Sequence, residues 1–223
     1  MLKLGWVLFL YLCVWLVGGC AADPWRDVPE FEVFSFICPV PDGKFLEDAN
    51  FITGWSVLGP LNPGEKPSIH KEYVKDEALL TGNRRAPRGA RWYRISVRRS
   101  GGSEILPGEI DFSSKFQQHP EGMKKSVFYA CATLKCDWNY RGMVLFSGSC
   151  GQQKIWLNGR SVYSCERGSA ALKPEMAKVE DLELRKGFNR IVIKYLDDGK
   201  DYCSNRKFFL RFADEAGNLS VVR

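Results

Sequence analysis

The chain has 223 residues, room for one domain or one and a half, and a hydrophobic fraction of 45% that suits a buried core. Its formal charge of +6 is too small to argue nucleic-acid binding, although it favours acidic surfaces or anionic polymers. Only His70 and His119 are present, neither in an H-E-x-x-H pattern, and there is neither a G-x-S-x-G elbow nor a P-loop. Histidine metal clusters and the common hydrolase triads are thereby disfavoured, and no cofactor is expected.

Residues 1–19 read as a signal peptide: Lys3 is followed by an apolar run of about a dozen residues, as in a signal h-region. The run ends in Leu16-Val-Gly-Gly-Cys20, which resembles the lipobox of bacterial lipoproteins, with Cys20 as the residue to be lipidated. Cleavage after Cys20-Ala-Ala22, giving a secreted soluble protein, and an uncleaved anchor are the alternatives. The expected location is extracytoplasmic, anchored to the membrane by lipid.

Setting aside Cys13 and Cys20 leaves Cys38, Cys131, Cys136, Cys150, Cys165 and Cys203, none in C-x-x-C spacing. An even set of this kind points to disulfides in an oxidising compartment rather than to a metal. Cys150 and Cys165 bracket a hairpin at nearly matched distance from its turn and are the expected pair, with Cys203 as the chief competitor.

Residues 20–50 read as the lipidated cysteine, a tether interrupted by Pro24, Pro29, Pro39 and Pro41, and a strand-like run from Phe31 to Cys38. The domain is expected over 51–215, with 216–223 as a tail. Phe51–Pro60 is β-rich and stops at Gly-Pro before a turn-rich segment, and Lys71–Leu80 is a weak candidate for a short helix. Arg91–Arg98 alternates, placing Tyr93, Ile95 and Val97 inward and Trp92, Arg94, Ser96 and Arg98 outward. Ser126–Leu134 has bulk on both faces and is expected to be central, Arg141–Ser147 is a further strand, and Lys207–Phe212 places Phe208, Leu210 and Phe212 on one face.

Lys154-Ile-Trp-Leu-Asn-Gly-Arg-Ser-Val-Tyr163 forms a hairpin around Asn158-Gly159, since that pair tolerates the positive φ a type I′ turn needs. A regular register pairs Leu157 with Arg160 and Ile155 with Val162, leaving Trp156, Ser161 and Tyr163 on the other face. Asp181–Tyr195 reads as a second pair of runs around Gly187. Short strands spaced by Gly and Pro turns, almost without helix, predict an all-β fold: an antiparallel β-sandwich of the jelly-roll kind.

The ordered series Trp55–Pro60, Arg91-Trp92, Phe128-Tyr-Ala130, Gly148-Ser149, Lys154–Gly159, Leu184-Arg-Lys-Gly-Phe-Asn189, Ile193-Lys194 and Phe209-Leu-Arg211 resembles the galactose-binding-like, carbohydrate-binding-module-type jelly roll of secreted bacterial proteins. The resemblance covers Phe51 to Asp214 and rests on turn chemistry, which speaks to fold far more than to ligand. It departs at Gly148-Ser-Cys-Gly151, where an acidic pair is expected. It implies a binding or spacing role, and the favoured reading is a non-enzymatic module with a polysaccharide or other glycan as ligand. The rival is a structural or protein-interaction lipoprotein that docks an envelope protein.

Asp137-Trp-Asn-Tyr-Arg141 is the candidate sugar site: Trp138 and Tyr140 to stack on sugar C–H faces, with Asp137, Asn139 and Arg141 to orient hydroxyls. The bland alternative folds both aromatics onto the rim of the core. Simple alternation of strand directions places this loop at the same end as Asn158-Gly159. The arginines at 84, 85, 88, 91, 94, 98 and 99 are either an Arg and Trp ladder for sulfated or uronic polysaccharides or solvated charge. Asp197-Asp-Gly-Lys-Asp201 reads as an acidic turn rather than a calcium loop, and Glu109 with Asp111 as outward strand acids rather than glycosidase carboxylates.

Overall fold

The computed structural model describes residues 51–52, 54–82, 84–96, 108–112, 125–136, 138–169, 172–173, 176–200 and 206–213, which all fall in one compact unit, Glu32–Arg223. The leader with Cys20, the 20–50 tether, the 216–223 tail, Cys38, Arg98, Arg99, His119, Asp137 and Cys203 lie outside the described residues.

Among the described residues there are ten strands: β1 (Gly54–Leu61), β2 (Arg91–Ser96), β3 (Ile110–Asp111), β4 (Ser126–Cys136), β5 (Tyr140–Ser149), β6 (Gln152–Leu157), β7 (Arg160–Cys165), β8 (Ala177–Leu184), β9 (Gly187–Asp197) and β10 (Lys207–Ala213). They form two sheets, β2-β1-β4-β9-β6-β7 and β3-β10-β5-β8, with antiparallel pairing throughout. The fold is therefore the expected all-β antiparallel sandwich.

The core between the sheets explains the alternation of the strands. Val57, Phe128, Ala130, Ile155, Ile191 and Ile193 of the six-stranded sheet meet Ile110, Leu145, Phe208, Leu210 and Phe212 of the four-stranded one. Phe112 stacks on Phe128 with centroids 4.8 Å apart and lies 5.3 Å from Phe208. Trp55 meets Phe208 edge-on and donates its indole N–H to the Ile52 carbonyl at 2.8 Å.

A second core lies on the opposite face of the six-stranded sheet. Leu58, Tyr129, Cys131, Trp156, Val192 and Leu196 are covered there by Ile69, Tyr73, Val74, Leu80, Ala90 and Trp92 from the 62–92 segment. This cover is why β4 and β9 carry bulk on both faces and sit in the middle. Burial pushes the Cys131 thiol up to about 12.

The cover is not the short helix expected over 71–80. It collapses to one 3-10 turn, Glu77–Leu79, entered through Asp76 in the left-handed region at φ 55°. Side chains occupy the backbone groups a helix would use: the Tyr73 hydroxyl takes the Ser68 N–H at 3.0 Å and donates to its carbonyl at 3.1 Å, and Glu72 accepts from the Asp76 N–H at 2.7 Å. Flattened in this way, the segment lays its scattered apolar residues onto the sheet.

Three sequence expectations change. The Asn158-Gly159 turn has both φ values positive, 52° and 82°, as a type I′ turn requires. Leu157 faces Arg160 as expected, but a bulge then makes Ile155 face Tyr163 instead of Val162. The extra residue brings Tyr163 beside Val162 against the inner core, away from the face of Trp156. Second, β8 and β9 are not a hairpin: β8 pairs β5 in the four-stranded sheet and β9 pairs β4 and β6 in the other, so the chain crosses between sheets at Arg185-Lys186. Third, the expected Cys150–Cys165 disulfide is not made. Cys165 is a thiol that donates to the Arg167 carbonyl at 3.3 Å, whereas Cys150 is disulfide-bonded and its partner lies outside the described residues. The physical reason is the crossover: Cys150 joins the two sheets, with its N–H on the Lys207 carbonyl of β10, while Cys165 ends the edge strand β7.

Candidate functional site

The rim of the sandwich where β4 crosses to β5, β6 turns into β7 and β8 crosses to β9 brings three loops together. Asn189, fully buried, organises them. Its Oδ1 accepts from the Arg185 N–H and from Asn158 Nδ2, both at 2.9 Å, and its Nδ2 donates to the Arg185 carbonyl at 2.7 Å. Asn158 in turn accepts the Arg190 N–H on Oδ1 at 2.9 Å and donates its own N–H to the Arg190 carbonyl at 2.8 Å. The candidate loop is tied to the same assembly, because the Lys186 N–H donates to Asn139 Oδ1 at 2.7 Å. Residues 138–141 and the Asn158-Gly159 turn therefore lie at one end, as strand alternation predicts.

The five candidate residues have different fates. Trp138 is 63% exposed, the most exposed large hydrophobic side chain among the described residues, with Lys186 Nζ 5.6 Å from the centroid of its ring. Asn139 is exposed and accepts the Lys186 N–H on its carbonyl oxygen. Arg141 is exposed and meets Glu183, its Nε 3.5 Å from the carboxylate. Tyr140 faces Leu184 and packs against the inner core, so the expected pair of stacking aromatics is reduced to one. The first residue of β5 has to close the gap between the sheets, which draws Tyr140 inward. Asp137 lies outside the described residues.

Other chemistry-bearing residues take structural roles. Lys194 is fully buried on the second core, with Nζ 2.7 and 2.8 Å from the two carboxylate oxygens of Glu77 and 2.8 Å from the Lys71 carbonyl. The rings of Tyr73, Tyr129 and Trp156 surround it at 5.4 to 5.9 Å. Tyr129 donates its hydroxyl to Glu77 at 2.5 Å. Burial lowers the Lys194 pKa and Glu77 opposes the shift; burial, with Glu77 adding to it, raises that of Tyr129. With Glu77, Tyr129 and Lys194 all buried, this cluster clasps the 62–92 cover to the sheet.

His70 and Glu166 meet at 2.8 Å as an exposed surface pair. Asp197 caps the Gly199 N–H and holds Arg206 at 2.6 Å; Asp198 receives Gln152 and Lys200. Among the described residues no cluster of three or more His, Cys, Asp or Glu is placed to hold a metal ion. Glu109 pairs with Lys207. The expected Arg and Trp ladder is also altered: Trp92 is half-buried in the second core and donates its indole N–H to the Arg84 carbonyl at 2.6 Å.

No protein-family model matches the chain, and no curated protein matches it. Solved structures similar to it include a Ruminococcus gnavus beta-glucuronidase (13% identity, TM-score 0.42), with 81% of this chain and 31% of that one covered. Amycolatopsis orientalis exo-chitosanase CsxA (16% identity, TM-score 0.41) covers 74% of this chain and 20% of its own. A Kluyveromyces marxianus beta-glucosidase (15% identity, TM-score 0.40) covers 85% and 19%. The chain thus spans less than a third of the length of each, and the assignment of its fold rests on its own strand pairing.

Proposed function

We propose that the chain is a non-catalytic, extracytoplasmic carbohydrate-binding module whose contact with glycan is made by Trp138. The observation that carries this reading is an indole left 63% exposed on a rim tied together by buried hydrogen bonds. An apolar ring of that size in water gains from covering, and its π face suits the C–H face of a sugar ring, with Asn139 and Lys186 beside it to meet hydroxyls. One aromatic gives shallow binding, expected at about millimolar to tens of micromolar, or roughly 4 to 6 kcal/mol. Trp138→Ala should weaken binding by about tenfold or more, near 1.4 kcal/mol, and so abolish retention on a glycan matrix that retains wild type. Because Trp138 is exposed, the thermal transition should stay within about 1 °C. A variant that unfolds, or a wild type that no polysaccharide in a broad panel retains, rejects the reading.

Lipidation of Cys20 belongs to the same proposal, supported by the Val-Gly-Gly-Cys sequence. Labelled fatty acid should enter the wild-type chain in a bacterial host, and Cys20→Ser should release the protein from membranes; an unlabelled wild type removes the anchor. The second reading, a structural lipoprotein that docks an envelope protein, is favoured by Leu79 and Phe188, 50% and 36% exposed at the same end as Trp138. Copurification of one protein partner that Phe188→Ser abolishes, without any glycan retention, would select it.

A further inference from the structure

The whole net charge of the chain resides in one stretch. Residues 84–99 hold seven arginines and neither Asp nor Glu; removing those seven charges from +6 leaves −1 for everything else. Five of the seven, at 84, 85, 88, 91 and 94, are exposed in the described residues, and they stand on fixed backbone. Trp92 pins the Arg84 carbonyl, Arg84 donates to the Lys75 carbonyl at 3.1 Å, and the Ala90 N–H closes a turn onto the Pro87 carbonyl at 3.1 Å. The stretch continues into β2, an edge of the six-stranded sheet.

Among the described residues little charge offsets Arg84, Arg85, Arg88 and Arg91. Arg85, Arg88 and Arg91 make no ion pair among the described residues, and Arg84 meets Asp76 only at 3.9 Å with both side chains solvated. Arg84 also lies close enough to Arg190 for its charge to add to burial in lowering the Arg190 pKa, against the opposing pull of Cys131. Like charges gathered on a rigid edge repel, and an anion laid across them relieves the repulsion. Planar guanidinium groups match sulfate and carboxylate oxygens in paired hydrogen bonds.

We infer that the Arg84–Arg94 edge is a second binding surface, for an extended acidic polysaccharide bearing sulfate or uronate groups. This deepens the carbohydrate reading above and rests on it. Nucleic acid fits less well, because Trp92, the aromatic that bases would need, is half-buried and already hydrogen-bonded. A lipid surface fits less well too: among the described residues none of the exposed large hydrophobic side chains, Leu79, Trp138, Met176 and Phe188, belongs to the stretch. The six residues of β2 span about 20 Å at 3.3 Å each, the reach of an extended chain segment.

The test is retention of the folded protein on heparin and on polygalacturonate, read as the salt concentration at elution. The triple variant Arg85→Ser, Arg88→Ser, Arg91→Ser should elute at roughly half the salt of wild type or less, since exposed charge contacts are screened over about 10 Å at 0.1 M salt. Its thermal transition should not move. The equally charged control Arg160→Ser, Arg167→Ser, Lys173→Ser, all exposed, should elute with wild type, and so should Trp138→Ala. Equal loss in both triple variants would show that net charge alone is at work and overturn the site. Tighter binding to duplex DNA or to phosphatidylglycerol vesicles than to either polysaccharide would overturn the partner. A wild type that neither polysaccharide retains overturns the surface, while the Trp138 reading still stands or falls on neutral glycans.

Discussion

Glu77→Ala should destabilise the fold by about 3 to 5 kcal/mol, because it strips the counter-charge from a lysine with no exposure to water. Lys194 would keep the Lys71 carbonyl and three aromatic faces. Those groups attract an ammonium but do not replace a carboxylate that meets it through both oxygens. The Tyr129 hydroxyl would lose its acceptor at the same time, and a buried donor left unmade costs a further ~1 to 3 kcal/mol if no water reaches it. Losing the clasp should loosen the 62–92 cover first, exposing Trp156 and Val192 beneath it.

The clasp need not be the most stable filling of its space. The pair Glu77→Leu with Lys194→Met should cost at least about 2 kcal/mol less than the sum of the two single changes, as expected when two buried charges depend on each other. Urea denaturation followed by tryptophan fluorescence measures all five proteins: wild type, Glu77→Ala, Glu77→Leu, Lys194→Met and the double variant. A cost under about 1 kcal/mol for Glu77→Ala would show that the ammonium finds water or another acceptor, and that the cover is held by apolar contact alone.

How far the sequence could be read follows from which signals are local. Asn158-Gly159 announces its turn because only a few residue types accept positive φ there, and the strand runs announce their faces by period two. A bulge leaves no such mark: nothing in Arg160-Ser-Val-Tyr163 says that Tyr163, not Val162, will face Ile155. Whether two neighbouring runs form a hairpin or cross between sheets is likewise decided by what they pack against, so Gly187 looks like a hairpin turn from its neighbours alone.

Lys194 was visible in one respect. It occupies the outer parity of Ile191-Val-Ile-Lys-Tyr195, shared with Val192, in a segment whose other members are apolar or aromatic. A cation there needs a partner, but the partner comes from residue 77, far away in sequence, and no local pattern supplies it. The site shows the same division. Both aromatics of the short polar loop could either face solvent or fold onto the core rim: Trp138 is exposed, whereas Tyr140, two residues on, is turned inward by the first pairing of β5 with β8. Cys150 and Cys165 bracket their hairpin in sequence, and the crossover at Gly151 still gives them different surroundings. A methyl group on Gly151 would come within 2.6 Å of the Leu196 carbonyl oxygen.

Asn189→Ala should cost roughly 2 to 4 kcal/mol, since a single buried amide satisfies three groups that nothing else nearby replaces. The Arg185 N–H, the Arg185 carbonyl and Asn158 Nδ2 would all lose their partner. Unlike the clasp, this residue carries no charge, so its loss should be felt locally before it is felt globally. Amide hydrogen exchange at Arg185 and Lys186 should quicken more than at Ile191 and Ile193, which lie in the inner core. Lys186 is also the residue whose N–H holds Asn139 and whose ammonium lies over Trp138. The variant should therefore weaken glycan retention even at temperatures where it remains folded, while leaving elution from heparin unchanged, because the arginine edge is held by a different set of bonds. Uniform quickening of exchange across β9 would mean that Asn189 supports the whole sheet and not the rim. An unchanged denaturation midpoint would mean that water takes over its hydrogen bonds.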